Sequence, residues 1–319
     1  MSAPLTSAAQ QEVPAALRSF FVVLNPGSGE HEAGEVRASI ERVLQTAGRQ
    51  VEFSELRPGE VMSICQAAAR RASEAGGALV AVGGDGTLNA AAQAAITHGC
   101  PMGVIAQGTF NLFARDHGLP QDAAEGARVL LDARPQAVQV GLLNERVFLV
   151  NASIGLYPQL LEDRETFKQR LGRHRWVAML SGLKTVLGWR RELTIEVELD
   201  GRIEQLRTPT LFAGNNALQL EMVNAPEPLV REVREGRKLV GLVARPHGRW
   251  FKLRLMLRGL LGQVGASPEV DSFAFRSLTV APQGARKLKA ATDGEAIAMQ
   301  PPLRFSVSPR PLMLLKPAP

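Results

Sequence analysis

The feature that most constrains this chain is the passage from Ala78-Leu79-Val80-Ala81-Val82, which has no polar face, through Gly83-Gly84-Asp85-Gly86-Thr87-Leu88-Asn89 into an alanine-rich stretch. A short run that is apolar on both sides predicts a strand covered on both faces, as in parallel sheets flanked by helices. At the carboxyl end of such a strand, glycines let the backbone turn tightly and approach a ligand. The helix that follows presents unpaired N–H groups and its positive dipole end to phosphate. Thr87 is placed to cap that helix. Asp85 would repel bare phosphate unless a divalent cation or a substrate hydroxyl lay between them, which favours phosphoryl transfer over passive anion binding. An ordinary strand-to-helix turn is the plainer reading, and three glycines around one acid in this setting outweigh it.

The same grammar surrounds this segment. Residues 20–24 read as a strand entering Asn25-Pro26-Gly27-Ser28-Gly29, and Val36, Ile40, Val43 and Leu44 follow at helical spacing. A strand at 51–56, a helix at 60–74, a helix at 88–96 and a strand at 102–106 continue the alternation. Gln107-Gly108-Thr109-Phe110-Asn111 then opens a stretch with helices within 111–131, and the first domain ends near Pro135. Three glycine-bearing loops at the carboxyl edge of one sheet make a nucleotide site. The candidate nucleotide-binding residues are Asn25, Gly83, Gly84, Asp85, Gly86, Thr87, Leu88, Asn89, Gly108, Thr109 and Asn111. Neither a P-loop nor the protein-kinase motif set is present.

Beyond Pro135 the pattern changes to hairpins. Residues 138–142 and 147–150 flank a turn at Asn144-Glu145, and 193–199 turns at Asp200-Gly201, a strong hairpin pair. Helical insertions are expected around 173–187 and 250–261, and short strands from about 270 to 315. The expected fold class is α/β, with an N-terminal Rossmann-like parallel-sheet nucleotide-binding domain over 18–136. A C-terminal β-sandwich-type domain over 137–319 follows, its last strand free to return to the first domain.

At 319 residues, two domains are the natural expectation. Aromatic residues make up only 5%, which argues against a stacking-based nucleic-acid binder. The net charge of +6 favours anionic partners, whether phosphorylated substrates or an acidic membrane surface. Cys65 and Cys100 are too few for a disulfide scaffold or a zinc site. The first eighteen residues lack a signal-peptide pattern and no run has the length of a membrane span, so a cytoplasmic protein is expected, at most peripheral at the inner membrane face. The stretches 168–191 and 250–258 interleave apolar residues with Lys and Arg, which suits an anionic membrane or, equally, a solvated helix face. A homodimer is compatible with the sequence.

The residues resemble the diacylglycerol kinase catalytic domain family, which includes sphingosine, ceramide and bacterial lipid kinases. Residues 83–89 are similar to its GGDGT motif, Asn25-Pro26 with Ser28-Gly29 to its NPxSG opening, and Gly108-Thr109-Phe110-Asn111-Leu112-Phe113-Ala114-Arg115 to its G-T-x-N segment. Asn151-Ala152-Ser153-Ile154-Gly155 resembles its N-x-[SA]-x-G strand end, and Asp293-Gly294-Glu295 its DGE. The resemblance implies ATP held by residues 83–89 and Thr109, Mg²⁺, and an active site between two domains. It implies Glu295 as general base, while the loop chemistry itself makes Asp85 the second catalytic carboxylate, acting through Mg²⁺ or ordering the substrate hydroxyl. The reaction implied is transfer of the γ-phosphate of ATP to the hydroxyl of a diacylglycerol-like lipid substrate. The chain departs from the family pattern at Leu112, at Tyr157-Pro158 and at Arg237-Lys238-Leu239-Val240, where an acid is usual, so metal ligands are left unassigned. Two alternatives share the GGDGT cradle: a small-molecule kinase of the NAD kinase type, and a catalytically inactive nucleotide-binding regulatory protein.

Overall fold

The computed structural model describes residues 17–28, 32–155, 158, 193–199, 202–245, 265, 267–282 and 287–317. The expected helices at 173–187 and 250–261, the turn at Asp200-Gly201 and the basic stretches 168–191 and 250–258 lie outside the described residues.

The first sheet has the order β2-β1-β3-β4-β18-β5. Strands β1 (Ser19–Leu24), β2 (Gln50–Glu55), β3 (Ala78–Gly83) and β4 (Met102–Ala106) run parallel. Alternation along these strands splits the core into two layers, because successive side chains point to opposite faces. Phe20, Val22, Val80, Val82 and Ile105 face the helices α1 (Ala33–Thr46) and α5 (Ala123–Asp132). Val23, Leu79, Ala81, Met102 and Val104 face α2 (Val61–Glu74) and α3 (Asp85–His98). On that second face both helices bury mainly alanines, including Ala68, Ala69, Ala72, Ala91, Ala94 and Ala95, and such small side chains allow close packing. A short helix, α4 (Leu112–Asp116), follows the second glycine loop.

The run expected as one strand at 138–142 divides between two sheets. β5 (Arg134–Val138) closes the first sheet, whereas β6 (Gly141–Leu143) pairs with β7 (Arg146–Phe148) in the second. Local apolar pattern cannot register such a change of sheet. β18 (Leu312–Lys316) enters the first sheet between β4 and β5, parallel to one and antiparallel to the other.

The remaining strands form two antiparallel sheets. One has the order β10-β9-β14-β17-β6-β7, the other β13-β12-β11-β8-β15-β16. Their further members are β8 (Asn151–Gly155), β9 (Leu193–Leu199), β10 (Arg202–Thr208), β11 (Thr210–Gly214), β12 (Leu239–Ala244), β13 (Val270–Phe275), β14 (Ser277–Pro282), β15 (Leu288–Thr292), β16 (Glu295–Met299) and β17 (Leu303–Val307). Phe148, Leu278, Val280, Leu303 and Phe305 of one sheet share a core with Ile154, Leu211, Leu239, Val243 and Ala290 of the other. The second part of the chain is therefore a β-sandwich. Two short helices, α6 (Ala217–Met222) and α7 (Glu227–Arg234), were not anticipated. Each buries only two residues along its length, too few for a readable helical period.

Candidate functional site

Strands β1, β3 and β4 are neighbours, so their three glycine loops lie side by side at the carboxyl edge of the first sheet. Asn25 N–H donates to the Val82 carbonyl and Gln107 N–H to the Gly83 carbonyl, at 3.0 and 2.9 Å. Gly84 and Gly108 touch backbone to backbone: a Cβ on Gly108 would stand 2.6 Å from Gly84 Cα. Neither glycine has a positive φ, so closeness of approach, and not left-handed geometry, excludes a side chain here. Asn111 does adopt the left-handed conformation (φ 48°), and its Oδ1 accepts from Gly108 N–H at 2.8 Å.

Thr87 does not cap α3. Gly84 occupies the N-cap with no side-chain hydrogen bond, while Thr87 is buried and its Oγ1 accepts from Asn25 Nδ2 at 3.1 Å. The first N–H groups of α3 are thus left to the positive end of the helix dipole. Leu88 is fully buried in the core, so only its backbone belongs to the loop. The Asp85 carboxylate accepts from Leu112 N–H at 3.3 Å and Phe113 N–H at 3.2 Å. It holds the start of α4 and so ties the first glycine loop to the second. Thr109 and Phe110 form the exposed tip of that second loop, Phe110 being 56% exposed.

Glu295 comes to this place from the sandwich. Asp293 and Gly294, with φ of 46° and 88°, make the two-residue turn between β15 and β16, in which Thr292 pairs with Glu295. Glu295 Oε1 lies 3.4 Å from where a Cβ on Gly86 would stand, at the first turn of α3. Arg146 Nη2 is 3.6 Å from Glu295 Oε2, both side chains being well exposed. Nothing in the local sequence singled out Arg146.

Asp293, which the sequence offered only as the first member of a DGE motif, is the most heavily engaged acid in this region. Its carboxylate accepts from the backbone N–H groups of Leu149, Val150 and Asn151 and from Asn89 Nδ2, at 2.7–2.9 Å. Burial pushes its pKa up to about 6, and those four donors pull against that shift. Asn89 itself faces the sandwich: its amide donates to the Val147 carbonyl at 2.8 Å and to Asp293 Oδ2 at 2.7 Å. One turn on, Gln93 Oε1 accepts from Val147 N–H at 2.8 Å. β7 ends its sheet among the described residues, and α3 supplies partners along its outer edge. A second bridge runs from α4, where Asp116 accepts from Ala217 and Leu218 N–H and Asn216 Nδ2 donates to the Leu112 carbonyl. Among the described residues, no group of three His, Cys, Asp or Glu is clustered as metal ligands would be. Among them, too, no helix is long and apolar enough to cross a membrane.

A parallel sheet with glycine loops at its carboxyl edge, joined by a β-sandwich that sends a carboxylate to those loops, defines a two-part α/β architecture. Residues 19–143 match the model of the diacylglycerol kinase catalytic domain. The chain is similar to the "Probable lipid kinase YegS-like" of Chromohalobacter salexigens, 38% identical over 108 residues, which is 32% of this chain and 35% of that one. It is also similar to the diacylglycerol kinase of Bacillus subtilis, 27% identical over 189 residues, covering 58% of this chain and 60% of the relative. The matched region thus spans about a third of the first relative and three fifths of the second. A crystal structure of a diacylglycerol kinase from Bacillus anthracis shares the fold, with a TM-score of 0.64 at 15% identity, covering 94% of this chain and 97% of that one.

Proposed function

We propose that the protein is an ATP-dependent kinase that phosphorylates the hydroxyl of a diacylglycerol-like lipid. The observation that carries this reading is the seat of Glu295 against Gly86, with a sandwich carboxylate set beside an uncapped helix start. A polyphosphate fits that start. Gly84 and Gly108 meet without room for side chains, and the N–H groups opening α3 have no cap to neutralise them. Residues 83–87 with Gly108 and Thr109 would hold ATP, which supplies the phosphoryl group as its Mg²⁺ complex. The Asp85 carboxylate spends two acceptor positions on α4 and keeps others for the cation or the substrate hydroxyl.

An alcohol is a poor nucleophile until its proton has an acceptor, and Glu295 supplies one in reach of the loops. Arg146 restrains that carboxylate and adds positive charge to a site whose glycine loops carry none. Contact with an anionic membrane through the stretches 168–191 and 250–258 would suit a bilayer-held substrate, and the excess of Lys and Arg supports it. The test is incubation with ATP and Mg²⁺ against diacylglycerol, sphingosine and ceramide in mixed micelles, with NAD and small alcohols alongside. Phosphorylation of a lipid alone is expected; phosphorylation of NAD alone, or of nothing, overturns the reading.

A further inference from the structure

We propose that Asn89 and Asp293 form a positioning unit that fixes Glu295 at its height over the first turn of α3. In its catalytic consequence this rests on the kinase reading above. Asn89 lies one turn below Asp85 on the same helix, and Glu295 lies two residues beyond Asp293 on the same turn. The 2.7 Å bond between them joins positions 204 apart in sequence. Every link in this path is stiff. α3 is a 14-residue helix packed on the first sheet, and Asp293 is pinned by three backbone N–H groups of the sandwich. The turn after Asp293 has only two residues.

The motif alone suggests that Asn89 touches nucleotide. The geometry gives it different work, since both amide hydrogens are spent on the sandwich, at Val147 and Asp293. A positioning residue alters the rate of the chemical step, because a displacement of about 1 Å at a reacting group costs on the order of 10²-fold. A nucleotide ligand would alter ATP affinity instead.

Asp293→Ala would strip acceptors from three backbone N–H groups and endanger the fold, so the test is made at Asn89. Asn89→Ala is expected to lower kcat about ten- to a hundredfold while leaving the KM for ATP within about twofold. Asn89→Asp is expected to be worse, because it faces a second carboxylate and a carbonyl. Gln93→Ala, which removes the neighbouring grip on Val147 without touching Asp293, is expected to keep kcat within about threefold. A raised KM for ATP with unchanged kcat in Asn89→Ala, or equal losses in Asn89→Ala and Gln93→Ala, would overturn the proposal.

A readout free of activity separates this inference from the kinase reading. Nitroxide labels placed at Arg70 of α2 and at Lys287 before β15, both exposed, report the registry of the first sheet with the sandwich. The distance distribution should broaden in Asn89→Ala and stay narrow in wild type and Gln93→Ala. If wild type phosphorylates no substrate, the kinase reading fails while this distance still decides the pairing. An unchanged distribution in Asn89→Ala sinks the positioning role.

Discussion

Glu295 Oε1 and Gly86 meet at the start of α3, 3.4 Å separating the carboxylate oxygen from the place a methyl group on the glycine would take. That distance is ordinary van der Waals contact, and Gly86 has no positive φ, so Gly86→Ala should fold. Alanine is favoured over glycine within a helix by roughly 0.5–1 kcal/mol, so the melting temperature is expected to hold or rise. Activity should fall at the same time, since the methyl intrudes between the proposed base and the helix start. A variant with both stability and turnover unchanged would remove Gly86 from the site.

Glu295→Gln keeps the shape of the side chain and removes its basicity. ATP affinity, measured by titration calorimetry, is expected to persist, while the rate of lipid phosphorylation drops by about 10²-fold or more at every pH. A wild-type rate in this variant would show that another group takes the proton.

Asp85→Asn replaces one of two oxygens that receive Leu112 and Phe113 N–H, so one bond to the start of α4 is lost. The structural cost should be about 1 kcal/mol, read from denaturant unfolding. Turnover should fall much further, about 10²-fold, if the carboxylate also orders the cation or the substrate hydroxyl. Near-normal turnover would leave Asp85 with the tie between loops alone.

Gly108→Ala should act through packing. Its Cβ would stand 2.6 Å from Gly84 Cα and 2.7 Å from Asn111 Oδ1, and neither neighbour can move without deforming a loop. A loss of about 1–3 kcal/mol is expected in thermal or urea melts. A stable Gly108→Ala protein would mean that the two loops can separate.

The raised pKa of Asp293 sets a pH dependence of stability. The folded protein takes up this proton near pH 6, and the unfolded chain only near the ordinary value of 3.8. This contribution is present in full below about 3.8 and is lost as pH rises through about 6. Asp293→Asn cannot titrate. The melting temperature of wild type relative to this variant should therefore rise as pH falls from 7 to 4.5, and a difference independent of pH would exclude titration at Asp293.

Much of this molecule was legible before its tertiary structure. Residues 78–82 are apolar on both faces because the strand is covered by helices on both, and the glycines after it mark where backbone must approach backbone. Asn144-Glu145 marked the turn of a hairpin, and the structure joins β6 to β7 there. Period and turn chemistry are local, and the sequence carries them in adjacent residues. Partners distant in sequence are not so recorded. That β18 lies between β4 and β5, that Asp85 holds α4, that Thr87 is buried under Asn25, and that Asn89 looks toward Asp293 were decided only when the sheets packed. A side chain's hydrogen bonds depend on which acceptor or donor the tertiary fold brings within about 3 Å, and no spacing along the chain encodes that choice.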